Sequence, residues 1–364
     1  MKNRYEDLAS LSRRSFLKFA SHAAGGLSLA AGSPLQLPDF PESVHLGRVA
    51  VAKVDFHTRP DATSNVVGSL YEDAVIPWLR EIVGYHPYRF NQRWIETPDG
   101  YLWSGNIQPV ENQINTPVQT LPESSLGSGM WVRVTVPYVD LVIANPPARA
   151  PSLKENPTPR LYYSQILWAE SIETDPNTGR VYYRLTERFG YGDIFLAEAS
   201  AFQPLEAHEF EPITGVVEEK KVVVDVTRQT MSCFENGREV HFCRISTGAK
   251  FNAAGEEVEE WATPLGSHPI WRKVISLHMS GGTTGGGYDL PGIGWTTLFV
   301  GNGVAIHSTF WHNNFGVPMS HGCVNARPED AHWVFRWTGP HVPADPGDVT
   351  ISMPGGTQIE VIES

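Results

Sequence analysis

The chain has 364 residues, of which 41% are hydrophobic and 11% aromatic, so it is too apolar for a disordered protein and long enough for two or three folded domains. Its formal net charge of -12, with no cluster of Lys and Arg in the body of the chain, argues against nucleic-acid binding. The 33 glycines and 28 prolines follow no strict period, which predicts a mainly β fold of many short strands.

Residues 1–32 combine a basic start with a short apolar segment. Arg13 and Arg14 lie in the sequence Ser-Arg-Arg-Ser-Phe-Leu-Lys, which matches the twin-arginine (Tat) export signature, and the apolar residues 19–31 are too few to span a bilayer. We therefore expect export to the periplasm or cell wall, with membrane contact only through this signal. Its cleavage stays open, because a clean Ala-x-Ala site is absent from the sequence.

The body of the chain alternates β-rich segments with polar or Pro-rich linkers. The sequences Trp-Ile-Glu at 94–96 and Gly-Tyr-Leu-Trp at 100–103 resemble bacterial SH3-like wall-associated modules. After the signal, the predicted segments are a linker at 33–44, an SH3-like β-barrel module at 45–114, a linker at 115–129, a second β-rich module at 130–213, a third domain at 218–353 and a C-terminal tail at 354–364.

The third domain begins with a predicted β-hairpin whose two-residue turn is Asn236 and Gly237. The register that this turn sets places Cys233 and Cys243 on opposite faces of the sheet, which makes a disulfide between them geometrically poor. The chain has 3 cysteines, so at least one thiol is free. Cys323 is the cysteine that remains without a partner whether or not Cys233 and Cys243 pair.

One helix is predicted in the third domain, at residues 328–337. Pro328 suits a first helical turn, the acidic residues after it favour the positive end of a helix, and aromatic residues follow. The Gly-rich residues 281–287 lack the Gly-Lys-Ser/Thr ending of a phosphate-binding loop, so we interpret them as a mobile lid over a cleft.

A cysteine and a histidine lie where they can form a catalytic pair. A thiol reacts as its thiolate, and a pKa near 8.5 leaves only a few per cent ionised at neutral pH, so a base is required. His307 follows an apolar strand and precedes Cys323 by 16 residues, a distance that a loop can close. Gly322 permits tight curvature, which could direct the amides of Gly322 and Cys323 toward one point as an oxyanion hole.

These residues carry a resemblance to a known family. His307 and Ser308, followed by Ser-His-Gly-Cys-Val-Asn at 320–325, resemble the signature of L,D-transpeptidases with the YkuD-type catalytic domain. The upstream segments Ser-Thr-Gly and Thr-Pro-Leu-Gly, at 246–248 and 263–266, are similar to segments of that family. The resemblance covers about residues 218 to 353 and implies the family's β-rich catalytic fold.

The resemblance also implies roles for individual residues. Cys323 is the acylated nucleophile, and His307 is its proton acceptor and donor. Ser308 would orient His307 through its backbone or through its hydroxyl, and Asn325 is a further supporting residue. The loop itself adds Gly322, Ser320 and His321 as supporting candidates, with a structural or substrate-adjacent role for His321 favoured over a direct proton role. Asn325 stands where many members have Arg and others have Asn. Tyr288 and Trp295 are further candidates for the donor pocket, with core packing as the alternative for both.

The implied reaction is a two-step acyl transfer on peptidoglycan stem peptides. The thiol attacks the amide between the third residue of a tetrapeptide stem and its terminal D-Ala, and a stem amine resolves the thioester into a 3-3 cross-link. Water as the acceptor would give a carboxypeptidase, and a protein amine would attach a protein to the wall. We expect a monomer that needs no cofactor.

Other classes of protein fit the sequence less well. NlpC-type endopeptidases place Cys before His, and sortases carry a Thr-Leu-x-Thr-Cys segment that this chain lacks. A zinc site built from His307, His312, His321 and Cys323 has neither CxxC nor HExxH spacing. A noncatalytic wall-binding protein remains the alternative from a different class, although His307, Gly322 and Cys323 are all intact.

Overall fold

The computed structural model describes residues 35–364 apart from 87–89, 126, 156–158, 214, 216–218, 252–254 and 282–287. The signal predicted at 1–32 and most of the lid predicted at 281–287 lie outside the described residues. The fold is mainly β, as the sequence predicts, with several separate sheets and few helices. None of the helices in the described ranges is long and apolar enough to cross a membrane.

The first module contains eight strands among its described residues. They are β1 (Leu46–Val49), β2 (Lys53–His57), β3 (Val66–Tyr71), β4 (Val75–Pro77), β5 (Arg80–Val83), β6 (Arg93–Thr97), β7 (Gly100–Trp103) and β8 (Ile107–Val110). The two sheets have the orders β4-β1-β8 and β3-β2-β7-β6-β5. Phe56, Ile95 and Leu102 belong to a core that contains only residues of this module. Its SH3-like character stays a prediction.

The second module is built on a six-stranded antiparallel sheet of order β11-β15-β14-β13-β9-β16, beside the pair β10-β12. Its strands are β9 (Met130–Val134), β10 (Tyr138–Asp140), β11 (Val142–Ile143), β12 (Arg160–Tyr162), β13 (Ile166–Thr174), β14 (Val181–Thr186), β15 (Ile194–Glu198) and β16 (Phe202–Pro204), with a short helix α1 (Pro151–Glu155). Tyr183, Leu185 and Phe195 are fully or almost fully buried in its core.

The third domain has two five-stranded sheets, of orders β19-β18-β17-β26-β20 and β24-β23-β22-β21-β25. Its elements are β17 (Lys220–Asp225), β18 (Thr230–Glu235), β19 (Arg238–Arg244), β20 (Gly266–Pro269), β21 (Arg272–Gly281), β22 (Tyr288–Leu298), β23 (Ala305–Ser308), β24 (Val324–Ala326), helix α2 (Pro328–Trp337), β25 (Asp348–Thr350) and β26 (Gln358–Ile362). Short 3-10 helices in the described chain are Ser104–Asn106, Ala199–Ala201, Ala207–Glu209 and Glu259–Trp261.

Helix α2 confirms the helix predicted at 328–337, and its buried face packs into the core that both sheets of the third domain share. Lys273, on β21, is fully buried beneath the C-terminus of this helix. Its Nζ donates to the carbonyls of Phe335, Thr338 and Pro340, at 2.5, 2.7 and 2.7 Å. The lysine therefore supplies donors for carbonyls that the end of a helix leaves without intrahelical partners.

The β18–β19 hairpin has the predicted turn but not the predicted register. Asn236 and Gly237 have φ values of 48° and 77°, the left-handed conformation of a two-residue hairpin turn. A β-bulge after Cys233 then shifts the pairing by one residue, so Cys233 lies opposite His241 and Cys243 opposite Met231. The prediction of opposite faces is wrong, since both cysteines face the core. Both thiols are nevertheless free.

The C-terminal residues also differ from expectation. Residues 354–364 are not a tail, because β26 lies between β17 and β20 and pairs in parallel with β17. Ile359 and Val361 point into the shared core and are 0% and 2% exposed. This alternation of apolar and polar residues is a strand signal that the sequence carries.

The second module and the third domain share hydrophobic contacts. Trp131 and Trp168 belong to the same core cluster as residues of β17, β22 and α2. Ser276 Oγ, on β21, donates to the Ile166 carbonyl at 2.5 Å. Arg48 of the first module donates to the Phe310 carbonyl at 2.9 Å. The loop and strands around the candidate site are therefore held by both preceding modules.

Candidate active site

The candidate site lies where β23 and β24 pair in parallel. His307 is directly opposite Asn325 in this register, so Cys323, just before β24, comes beside the preceding residues of β23. All four residues of β23 are buried, and His307 is 2% exposed. The apolar sequence before His307 thus forms an interior strand. This strand places the imidazole beside the end of the loop that leads to Cys323.

A cavity of about 290 Å³ opens at this edge and is lined by both Cys323 and His307. The other lining residues are Met279, Tyr288, Leu290, Trp311, Met319, Ser320, His321 and Asn325. Most of the lining surface is apolar, and its polar groups come from side chains such as His307, Ser320 and Asn325.

The surroundings of Cys323 favour its neutral thiol. Burial raises the pKa of Cys323 to about 11, and a hydrogen bond from the Ala305 amide opposes this shift only in part. The Sγ atom lies 3.8 Å from the Gly303 carbonyl, which can accept from the S–H. A resting thiol in this cavity is therefore protonated at neutral pH.

The surroundings of His307 favour its neutral imidazole. Burial lowers the pKa of His307 to about 4, although its hydrogen bond to the Ser308 backbone opposes this. Nδ1 lies 2.9 Å from the Ser308 carbonyl, which can only accept, so Nδ1 carries the proton. Nε2 is then left with the lone pair that a general base needs. Ser308 orients the ring through its backbone, one of the two possibilities that the sequence left open.

The loop before Cys323 is fixed by hydroxyl groups. Gly322 has φ of 114°, a conformation that L side chains rarely adopt, and its N–H donates to Ser320 Oγ at 3.1 Å. Ser320 Oγ in turn donates to the Cys323 carbonyl at 2.5 Å, and Thr263 Oγ1 donates to the Gly322 carbonyl at 2.8 Å. The oxyanion-hole prediction required the Gly322 amide to point at a substrate. This amide is instead already bonded within the loop.

Two aromatic rings enclose His321 at the mouth of the cavity. The Trp261 and Tyr288 ring centroids lie 4.2 and 5.3 Å from that of His321. Burial and the charge of Cys323 raise the pKa of Tyr288, which keeps its hydroxyl neutral. Tyr288 thus lies where a pocket residue was predicted.

Trp295, the other predicted pocket residue, lies in the core instead. It is 2% exposed and stacks on His332, at 4.0 Å between ring centroids.

His312 and Asn325 form a buried pair that sequence reasoning missed. The Asn314 N–H donates to His312 Nδ1 at 3.2 Å, so the proton of the neutral ring belongs on Nε2. Burial, followed by the charge of His307, lowers the pKa of His312 to about 3 and keeps it neutral. Asn325 Nδ2 lies 3.0 Å from Nε2, while Asn325 Oδ1 has no partner. With this amide turned by half a rotation, Oδ1 accepts from Nε2–H.

Three metal-capable side chains whose ligand atoms lie close together occur outside the cavity lining. They are His241, Cys243 and Asp330, whose ligand atoms lie within 4.8 Å of one another. His241 Nε2 is 3.0 Å from Asp330 Oδ1, so these two already form an ion pair or hydrogen bond. The group shares no residue with the zinc set considered from the sequence.

A buried imidazole on β23 and a thiol just before β24, beside one cavity, form the arrangement that nucleophilic catalysis by a cysteine needs. Residues 219–361 match the family model YkuD, the L,D-transpeptidase catalytic domain. This match covers the third domain, including the motif around Cys323 that carries the resemblance to the same family. No curated protein matches the chain.

Several solved structures of L,D-transpeptidases are similar to this chain. A mutant Enterococcus faecium enzyme is 22% identical, with 40% of this chain and 50% of that chain covered and a TM-score of 0.30. A Mycobacterium smegmatis enzyme is 18% identical, with 70% and 99% covered and a TM-score of 0.32. Mycobacterium tuberculosis L,D-transpeptidase 3, with a faropenem-derived adduct, is 17% identical, with 55% and 91% covered and a TM-score of 0.31. The match spans half the length of the Enterococcus faecium chain.

Proposed function

We propose that the protein is a peptidoglycan L,D-transpeptidase that forms a thioester between Cys323 and a tetrapeptide stem, releases D-Ala and passes the acyl group to an amine of a second stem. The observation that carries the proposal is that Cys323 and His307 line one apolar cavity in the domain that matches this family. The family match supports peptidoglycan as the substrate class. A stem amine as the acceptor is part of the proposal and is tested below against water.

The first step begins from a neutral pair. With the pKa of Cys323 near 11 and that of His307 near 4, a thiolate beside an imidazolium is scarcely populated at rest. His307 Nε2 therefore takes the thiol proton as sulfur attacks the carbonyl carbon of the third stem residue. A C–S bond forms and the carbonyl becomes a tetrahedral oxyanion. When the C–N bond breaks, the imidazolium returns its proton to the departing amine of D-Ala.

The second step reverses these proton transfers. The amine of a neighbouring stem attacks the thioester carbonyl, gives its proton to His307 Nε2 and forms the new amide. The C–S bond breaks, and the proton passes from His307 to the Cys323 sulfur, which restores the resting state. Water entering in place of the amine would release a tripeptide stem, so the acceptor decides between cross-linking and trimming.

Carbapenem acylation tests the proposal directly. We expect intact-protein mass spectrometry to find one adduct, localised to Cys323 by peptide mapping, and no adduct on Cys323→Ser. Cys243→Ser is the matched control, since that cysteine is also free but lies in the core. This variant should be acylated like the unmodified protein. An adduct that survives Cys323→Ser would contradict the proposal.

Incubation with a tetrapeptide stem, with and without an amine acceptor, then separates the possible products. Released D-Ala together with a joined peptide supports the transpeptidase. D-Ala release without a joined peptide would identify a carboxypeptidase, and no release from folded protein would leave the wall-binding alternative.

We also propose export by the Tat pathway, since the substrate of the matched family lies outside the cytoplasm and Arg13 and Arg14 form the twin-arginine sequence. Replacement of both arginines by Lys should abolish export of a reporter that crosses the membrane only when folded. Export that persists in this double variant would contradict the proposal.

A further inference from the structure

One wall of the Cys323 cavity is a β-hairpin that reaches across to the second module. Met279 on β21 and Tyr288 and Leu290 on β22 all line the cavity. Met279 pairs with Leu290 across the hairpin, and Gly281 pairs with Tyr288. Any shift of these two strands relative to β23 therefore changes the space above the thiol.

The neighbouring residue of β21, His278, is held between two carboxylates. Its Nδ1 lies 2.8 and 2.9 Å from the two Glu187 oxygens, and its Nε2 makes a short contact with Asp289. The side chains of His278, Glu187 and Asp289 are 4%, 3% and 13% exposed. Glu187 belongs to the second module, just after β14, while Asp289 belongs to β22. The imidazole thus joins both strands of the hairpin to another module.

The other contacts around this cluster also join the second module to the β21–β22 hairpin. The Ser152 N–H of α1 donates to Asp289 Oδ2 at 2.9 Å. Tyr191, in the segment after β14, places its ring edge-on to His278, at 5.1 Å between centroids, and its hydroxyl lies 3.3 Å from Ser280 Oγ. The titratable groups that face the His278 ring are therefore Glu187 and Tyr191 of the second module and Asp289 of the hairpin.

The cluster requires a charged imidazole. A carboxylate oxygen can only accept, so both ring nitrogens of His278 must carry protons to bind Glu187 and Asp289 together. Burial alone would lower the pKa of His278, but the hydrogen bonds and charges of Glu187 and Asp289 outweigh it and raise the pKa. Burial would raise the pKa of Asp289, but its hydrogen bonds with Ser152 and its contact with the His278 imidazolium lower that pKa.

We propose that His278 is a positioning residue for the acyl-transfer site: its imidazolium, bridging Glu187 and Asp289, fixes the β21–β22 hairpin against the second module and so sets the shape of the Cys323 cavity. The second module then contributes to the reaction without touching the substrate. This inference rests on the proposed function for its catalytic consequence, while the fixing of the hairpin stands independently.

The pH dependence follows from the sign of the pKa shift. A histidine whose pKa is raised by folding stabilises the fold fully below its unfolded pKa of about 6.5 and loses that contribution as the pH rises through the raised value. Above the raised pKa, one ring nitrogen presents a lone pair to a carboxylate. The hairpin should then open more often, and acylation of Cys323 should slow.

Hydrogen exchange and acylation, measured across pH, test the proposal in His278→Gln and Glu187→Gln. Protection factors of β21 and β22 should fall about tenfold in either variant at about pH 6, the usual effect of losing one charge-assisted hydrogen bond on an opening equilibrium. Carbapenem acylation of Cys323 should slow by a similar factor. Both variants should converge on the unmodified protein as the pH rises past the raised pKa. Glu187→Gln retains the shape of the side chain and serves if His278→Gln does not fold.

His341→Gln is the matched control, because His341 Nε2 donates to the Phe210 carbonyl at 2.9 Å without any carboxylate and lies outside the hairpin. It should leave hairpin exchange and its pH profile unchanged. Unaltered exchange in the His278 and Glu187 variants, or an equal loss at every pH, would overturn the proposal. If the unmodified protein is not acylated at all, the proposed function fails, while the exchange data still decide whether the hairpin is fixed by His278.

Discussion

At the scale of single residues, the protonation states of Cys323 and His307 distinguish two ways of activating a thiol. Burial pushes the two pKa values apart, to about 11 and about 4, so the neutral pair is the stable form. An enzyme with a preformed thiolate would need the opposite shifts. The proton transfer is thus part of the attack on the substrate, and the position of Nε2 matters more than a resting charge.

This arrangement predicts a broad pH profile for acylation. The rate constant should fall as the pH drops through about 4, where His307 becomes protonated, and the ionisation of Cys323 should not affect it until about pH 11. The measurement is made in His278→Gln, so that the separate decline expected above the raised pKa of His278 does not contribute. Stopped-flow fluorescence of carbapenem acylation, with folding checked by circular dichroism at each pH, measures this. A bell-shaped profile centred on neutral pH would contradict the neutral-pair mechanism.

The sequence predicted the meeting of Cys323 and His307 because both belong to one short motif on either side of a single loop. It did not predict the His312 and Asn325 pair, which depends on where the loop after β23 folds back. Nor did it predict that the Gly322 amide bonds to Ser320 Oγ. Those contacts are set by three-dimensional positions that no spacing rule fixes.

At the scale of elements, helix α2 was predictable because its signals are local: a proline in its first turn, acidic residues next and a period of apolar side chains. The register of the β18–β19 hairpin was not, because one bulge residue reverses the faces of everything beyond it. Strand β26 carries the right alternation, yet its partner β17 lies more than 130 residues earlier in the chain. Pairing over such a separation has no local signal.

The stabilisation of the C-terminal end of helix α2 by Lys273 can be tested by substitution. Burial lowers the pKa of Lys273, yet only the charged form has three N–H groups for the three carbonyls at the end of α2. Lys273→Met leaves those buried acceptors unsatisfied, so we expect a loss of about 3 kcal/mol in the free energy of unfolding. Denaturant titration followed by tryptophan fluorescence measures it.

Lys221→Met is the control for that experiment. Lys221 pairs with Glu360 at 2.8 Å, but both side chains are about half exposed, at 51% and 41%. Such a surface pair contributes little, so its loss should change stability by no more than about 0.5 kcal/mol. Similar losses in both variants would show that Lys273 does not stabilise the helix end in the way proposed.

At the scale of the whole molecule, the modules are less separable than their sequence boundaries suggest. Trp131, Ile166 and Trp168 of the second module belong to one hydrophobic cluster with residues of the third domain. The first module has a core of its own and contacts the rest through groups such as Arg48 and Gln108. The linker composition on which the predicted boundaries rest carries no signal for which faces of the modules share a core.

This difference predicts how the protein unfolds. Scanning calorimetry of residues 115–364, without the first module, should show a single cooperative transition for the second module and the third domain, because removing either exposes the apolar cluster that they share. Residues 219–364 alone should aggregate or unfold at a markedly lower temperature, since Trp131 and Trp168 no longer cover their side of the core. Two resolved transitions in residues 115–364, or an isolated third domain with unchanged stability and acylation of Cys323, would show instead that the second module is a separate appendage, and the role assigned to Glu187 would lose its structural basis.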